Sequence, residues 1–182
     1  MQEFTVNQDK NPMATATLRE HTGRSLEGRY MTFKLADEEY GLEILKVKEI
    51  IRLMHITRVP GTEAFISGVI NLRGKVIAVV DLRLKLGMEK GTPTDQTAII
   101  VVQYEIDGSE LTMGVLVDEV EEVRSICAEQ IEPPPDFGTG ALNPDFILGV
   151  GKIEKRVIFL VDIGRILSSN EAVALHQIAA SA

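Results

Sequence analysis

The sequence predicts a mainly β protein built as two similar small barrels, with short helices at its C-terminus. Three observations predict it. The 182 residues are 45% hydrophobic, yet aromatics make up 5% and Trp is absent, so Val, Ile and Leu must build the core, and the first two suit a pleated surface. Short alternating or β-branched runs recur along the chain, separated by turn-forming residues. Gly68 to Leu86 (GVINLRGKVIAVVDLRLKL) also lies over Gly149 to Leu167 (GVGKIEKRVIFLVDIGRIL), with Gly, Val, Val, Ile, Val, Asp and Leu in register.

Taken in order, residues 1–27 mix Gln, Asn, Thr, Arg and Glu around Asn11-Pro12 and read as a flexible N-terminal tail, with order beginning near Arg29. Met31, Phe33 and Leu35, then Tyr40, Leu42 and Ile44, alternate on either side of Asp37-Glu38-Glu39 and predict a hairpin. Residues 44–54 are assigned to a strand, although Ile44, Val47, Ile51 and Met54 would also line one helix face. Further strands are predicted over 69–72, 76–80, 98–104, 111–117 and 120–126. Residues 131–145 contain Pro133-Pro134-Pro135 and Asn143-Pro144, which predict a long surface loop. Strands over 146–153 and 156–161 follow. Residues 171–180 are predicted to form a helix, with Ser168-Ser169-Asn170 offering caps, Glu171 in the first turn and Leu175 and Ile178 on one face.

The repeat reads as a strand, a tight turn, a second strand ending in Asp, and an apolar helical turn capped by that Asp. Asp81 and Asp162 are therefore caps and not acids. A fainter echo pairs Tyr40-Gly41-Leu42 and Val47-Lys48-Glu49 with Met113-Gly114-Val115 and Val120-Glu121-Glu122. This predicts one barrel per half, each too small for a robust core of its own.

Composition excludes several functions. A net charge of −8, from 19 basic and 27 acidic residues, repels nucleic acid and anionic lipid alike. Cys127 is the only cysteine, so neither a disulfide framework nor a multi-cysteine metal site is expected. The N-terminus lacks a secretory apolar region and the longest aliphatic run spans only 98–102, so a cytoplasmic location without direct membrane insertion is expected. His21, His55 and His176 are far apart in sequence and predict no metal centre. Cys127, between Ile126 and Ala128, reads as a packed thiol. Glu119, Glu121 and Glu122 read as a charged edge strand. Neither a phosphate-binding loop nor a dinucleotide fingerprint is present, so no cofactor is expected.

The two repeats differ at their turns. The first reads Asn71-Leu72-Arg73-Gly74 and the second Lys152-Ile153-Glu154-Lys155. Leaving Leu72 exposed would forgo about 1.5–3 kcal/mol of burial, so it either folds back onto the barrel or docks on a partner. Arg73 offers a planar fork of donors suited to a carboxylate.

The chain resembles the CheW-like chemotaxis coupling protein family over residues 28–168, leaving 1–27 and the 169–182 helix and tail outside the match. The resemblance rests on Asp37-Glu38-Glu39-Tyr40-Gly41, the run from Ile44 to Ile50 (ILKVKEI), that from Ala64 to Gly74 (AFISGVINLRG), Val79-Val80-Asp81-Leu82-Arg83, and Val117-Asp118 with Ala128-Glu129-Gln130-Ile131. It implies two SH3-like five-stranded β-barrel subdomains packed side by side, and a non-enzymatic adaptor coupling transmembrane chemoreceptors to a chemotaxis histidine kinase. A groove between the barrels would receive the receptor's cytoplasmic tip, and the matching positions here are Val47, Glu49, Gly68, Asn71, Leu72 and Arg73. The kinase regulatory domain would bind barrel ends away from that groove. Rival readings are an adaptor of a pilus or other non-flagellar pathway, a small β-barrel enzyme using Glu49 or Cys127, and a nucleic-acid-binding barrel.

Overall fold

Four tight hairpins supply most of the strands, and each turns on one non-Gly residue in the left-handed region: Ala36 (φ 54°), Arg73 (φ 52°), Asp107 (φ 51°) and Glu154 (φ 57°). Positive φ at the first turn position matches the twist of the flanking strands. The hairpins are β1 (Gly28–Leu35) with β2 (Glu38–Glu43), β4 (Ile66–Leu72) with β5 (Lys75–Asp81), β6 (Ala98–Ile106) with β7 (Ser109–Val117), and β10 (Ile147–Ile153) with β11 (Arg156–Val161). Three strands stand outside them: β3 (Val47–Arg52), β8 (Glu119–Ile126) and β9 (Ile131–Glu132). The computed structural model describes Met13, residues 22–135 and residues 145–181.

Two sheets result, ordered β3-β6-β7-β5-β4 and β8-β1-β2-β11-β10-β9. Each is closed by the chain running on from its edge strand. After β3, Thr57 and Val69 exchange hydrogen bonds of 2.9 and 2.8 Å, and after β8, β9 pairs Glu132 with Val150. These closures fall at equivalent positions of the repeat. The expected pair of barrels is therefore present, but the barrels are not one per half. β3 leaves β2 to pair with β6, and β8 leaves β7 to pair with β1, so the halves exchange strands reciprocally. Local sequence cannot reveal this, because strand partnership is a long-range choice.

The exchange explains the core. In β5 and β6, alternate residues serve different clusters: Ile77, Val79, Ile99 and Val101 fill one barrel, while Ala78, Val80, Ala98, Ile100 and Val102 face the other sheet. Among the described residues, the shared cluster holds 23 buried side chains and each barrel interior only 5. Each barrel thus depends on its neighbour for burial, as expected for units this small.

Asp81 and Asp162 do cap one-turn helices, Leu82–Lys85 and Ile163–Ile166, accepting from the Leu84 and Gly164 amides at 3.3 and 2.9 Å. Several expectations need correction. The predicted strand over 44–54 opens as a 3-10 turn, Ile44–Lys46, which carries the chain between barrels before β3 begins. Residues 22–26, placed in the tail, form a helical turn whose Leu26 packs against Tyr30, Ile126 and Ile131. Ile131–Glu132, placed in the loop, is a strand, while residues 136–144 of that loop lie outside the described residues. Cys127 is exposed rather than packed. Its backbone starts the 3-10 turn Ala128–Gln130, where the Gln130 side chain accepts from the Cys127 amide at 2.9 Å.

The C-terminal helix spans Ser169–Ser181. Ser168 caps it reciprocally: the Glu171 amide donates to Ser168 Oγ at 3.2 Å and the Ser168 amide to Glu171 Oε2 at 2.8 Å. Ala172 and Leu175 are buried in the shared cluster, and Ile178 packs against it.

Candidate functional site

β3 carries a register shift against β6 between Val47 and Glu49. Such a bulge re-aims side chains. Val47 packs on the shared cluster while Ile51 packs into the barrel, and Glu49 is left half-buried between them. Arg73, at the tip of β4–β5, reaches Glu49 with both ends of its guanidinium: Nη1 donates to Oε1 at 3.1 Å and Nη2 to Oε2 at 2.9 Å. The fork thus ties together the two edges of the five-stranded sheet. The Arg73 side chain is 76% exposed and that of Glu49 21%, so solvent screens the pair and its contribution to folding is at most about 1 kcal/mol.

The other expected site residues have local duties. Asn71 Oδ1 accepts from the Gly74 amide at 2.9 Å and so fastens the turn. Leu72 is half-buried against the barrel interior formed by Ile70, Ile77 and Val79. Of the two fates considered for it, the free protein adopts the fold-back. Gly68 has φ 139°, and a Cβ there would stand 2.1 Å from the Thr57 carbonyl oxygen. Only Gly lets the 57–58 segment cross β4 closely enough to close the barrel.

Glu49, Leu72 and Arg73 share a cavity of about 420 Å³ with His176, Ala179 and Ala180 of the C-terminal helix. Val47, Gly68 and Asn71 do not line it. The helix was the part of this wall that sequence reasoning missed, because nothing local says that a helix following β11 crosses to the other barrel. A latch holds it there: Lys85 Nζ donates to Glu171 Oε1 and Oε2 at 2.6 and 2.7 Å and stands 4.4 Å from the centre of the Phe65 ring. Burial pushes the Glu171 carboxyl up, but its hydrogen bonds with Lys85 and Ser168 outweigh this and hold its pKa below the ordinary value.

A second polar feature pins the two barrels. Asp118, where the chain leaves β7, accepts from Arg83 Nε at 2.9 and 2.8 Å and from the Ala36 amide at 2.7 Å. Hydrogen bonding to Asp118 raises the Arg83 pKa. Arg83 and Asp118 both lie in the motifs that carried the family resemblance, and the contact assigns them to crossover geometry.

The Glu119, Glu121 and Glu122 group lies on an edge strand and is paired with cations. Glu121 contacts Lys34 and Arg156, and Glu122 contacts Arg124. Among the described residues, no three His, Cys, Asp or Glu side chains gather as a metal site, and no helix is long and apolar enough to cross a membrane.

Comparison with known proteins fits this geometry. The CheW-like domain matches residues 29–171. The chemotaxis protein CheW of Klebsiella aerogenes is 36% identical, over 91% of this chain and 97% of that protein. That of Bacillus subtilis is 34% identical, over 79% of this chain and 89% of its own. The crystal structure of the scaffolding protein TtCheW from Thermoanaerobacter tengcongensis superposes with a TM-score of 0.69 at 36% identity, covering 80% of this chain and 91% of that one. With the two barrels, their motif residues and these matches over most of the chain in agreement, the chain belongs to the CheW-like family.

Proposed function

We propose that the protein is a non-catalytic adaptor of a chemotaxis pathway that docks the cytoplasmic tip of chemoreceptors and the regulatory domain of a chemotaxis histidine kinase. The observation that carries the receptor assignment is the Glu49–Arg73 pair. It is solvent-screened and contributes little to folding, yet it is held bidentate in the lining of a cavity that Leu72 also lines. A fork already ordered by one carboxylate loses little freedom on meeting another acceptor. Val47, Gly68 and Asn71 would support the contact from behind, by holding β3, the barrel closure and the turn in place. A scaffold role, as named for the Thermoanaerobacter protein, needs no reacting group, and membrane association would come through the receptors.

The test is a pair of NMR titrations of labelled protein, one with a receptor-tip helical hairpin and one with the kinase regulatory domain. Receptor shifts are expected at Glu49, Leu72 and Arg73, and kinase shifts on barrel ends away from them. Receptor binding that leaves all three unshifted would overturn the assignment.

A further inference from the structure

We infer that the C-terminal helix is a gate on the receptor-docking cavity, docked in the free protein and displaced when a partner helix seats against Glu49 and Arg73. The inference rests on the docking reading above and adds a regulatory element to it.

The helix is fixed asymmetrically. Its first turn holds the Lys85–Glu171 latch and the Ser168 cap, whereas further along it is anchored by a narrow stripe of Ala172, Leu175 and Ile178. The remaining faces are open, and Val173 is an exposed aliphatic residue. A helix of this length is marginal in water without such a seat, so docking and helix formation are coupled, and terminal elements open at low free energy.

Its position makes opening consequential. His176, Ala179 and Ala180 wall the cavity of Glu49, Leu72 and Arg73. On the helix's other side, Ala174, Gln177 and Ile178 wall a second cavity of about 600 Å³ against the 57–66 loop. The helix is the partition between the two. Swinging its later turns away about the latched Ser168 end joins them into one trench, floored by apolar residues such as Phe65 and Ile66. That floor accepts what the resident helix itself provides there: small or aliphatic residues on one face.

Hydrogen exchange on the full chain tests this with a soluble chemoreceptor-tip hairpin as the probe. Saturating probe should speed exchange of the amides over 172–180 by at least tenfold while leaving β5 protected. Unchanged or slower exchange there, at saturation, overturns the gate. A chain ending at Ser168 should bind the same probe more tightly, by about tenfold if the helix is docked nine-tenths of the time, and weaker binding by a chain that melts cooperatively also overturns it. Arg73→Gly separates the two ideas. If it binds the probe normally while truncation still tightens binding, the gate stands and the Arg73 contact falls. Failure of both full-length and truncated chains to bind overturns gate and docking reading together.

Discussion

The β4–β5 and β10–β11 turns occupy equivalent places in the repeat, and comparing them separates what the fold needs from what it does not. Both put a non-Gly residue in the left-handed region, Arg73 at 52° and Glu154 at 57°. Both tuck an aliphatic residue onto their own barrel, Leu72 onto the cluster of Ile70 and Ile77, and Ile153 onto that of Tyr30 and Ile158. Leu72 is therefore part of the turn's architecture, and its hydrophobicity alone marks no docking site. The difference lies in the charges. Arg73 reaches across the sheet edges to Glu49, whereas the nearby ion pair of the other turn is Lys152 with Glu132 on the neighbouring strand. One turn presents a clamped guanidinium beside a cavity, and the other presents an acid at its tip.

The greatest loss is expected where each hairpin begins. Gly68→Ala should destabilise the protein by about 3 kcal/mol or more, because the new Cβ meets a backbone carbonyl at a φ that side chains rarely adopt. The equivalent Gly149→Ala should be milder, since its closest neighbour is a Leu26 methyl at 2.9 Å, which can shift, with the Glu132 carbonyl at 3.0 Å. Urea unfolding of both variants checks the order. Next, Leu72→Ala and Ile153→Ala should each cost about 1–2 kcal/mol, less than a fully buried truncation. Equal losses by thermal unfolding would confirm that the two residues share one structural role, and a near-zero loss for Leu72 alone would break it.

Acid should act on the helix before the barrels. The Glu171 pKa is depressed in the folded state, so its stabilisation is complete above the ordinary value near 4.5 and is lost as pH falls through the folded value. As pH falls below the ordinary carboxylate range, the amides over 172–180 should lose protection relative to their intrinsic exchange rates, and Glu171→Gln should abolish that pH dependence. The smallest effects are at the tips. Arg73→Gly and Glu154→Gly should each change stability by no more than about 1 kcal/mol, the relief of left-handed strain offsetting the loss of an exposed side chain.

Much of this was legible in the sequence, for identifiable reasons. The 68–86 and 149–167 match carried two hairpins and both Asp caps, because tight turns and caps are set by residues a few positions apart. The Gly41 and Gly114 echo was also sound: these residues pair with Leu160 and Val79 across parallel strands at equivalent points. What escaped depends on distant partners. The runs around β3 and β8 read correctly as strands, but nothing within them says that each joins the other half's barrel. Cys127 was misread for the same reason, since neighbours such as Ile126 and Ala128 do not say which way a residue between them faces. Leu72 looked surplus only while the burial of Ile153 was unknown, and the C-terminal helix could be drawn from its periodicity but not placed.

The Arg73 fork is proposed to serve recognition rather than folding. Calorimetric titration of a receptor-tip hairpin into Arg73→Gly and Glu154→Gly tests it most directly, because both substitutions make the same change at equivalent turns. Arg73→Gly should lose at least tenfold in affinity while its melting temperature stays within a few degrees of wild type, and Glu154→Gly should keep wild-type affinity. Equal affinities for the two variants would contradict it.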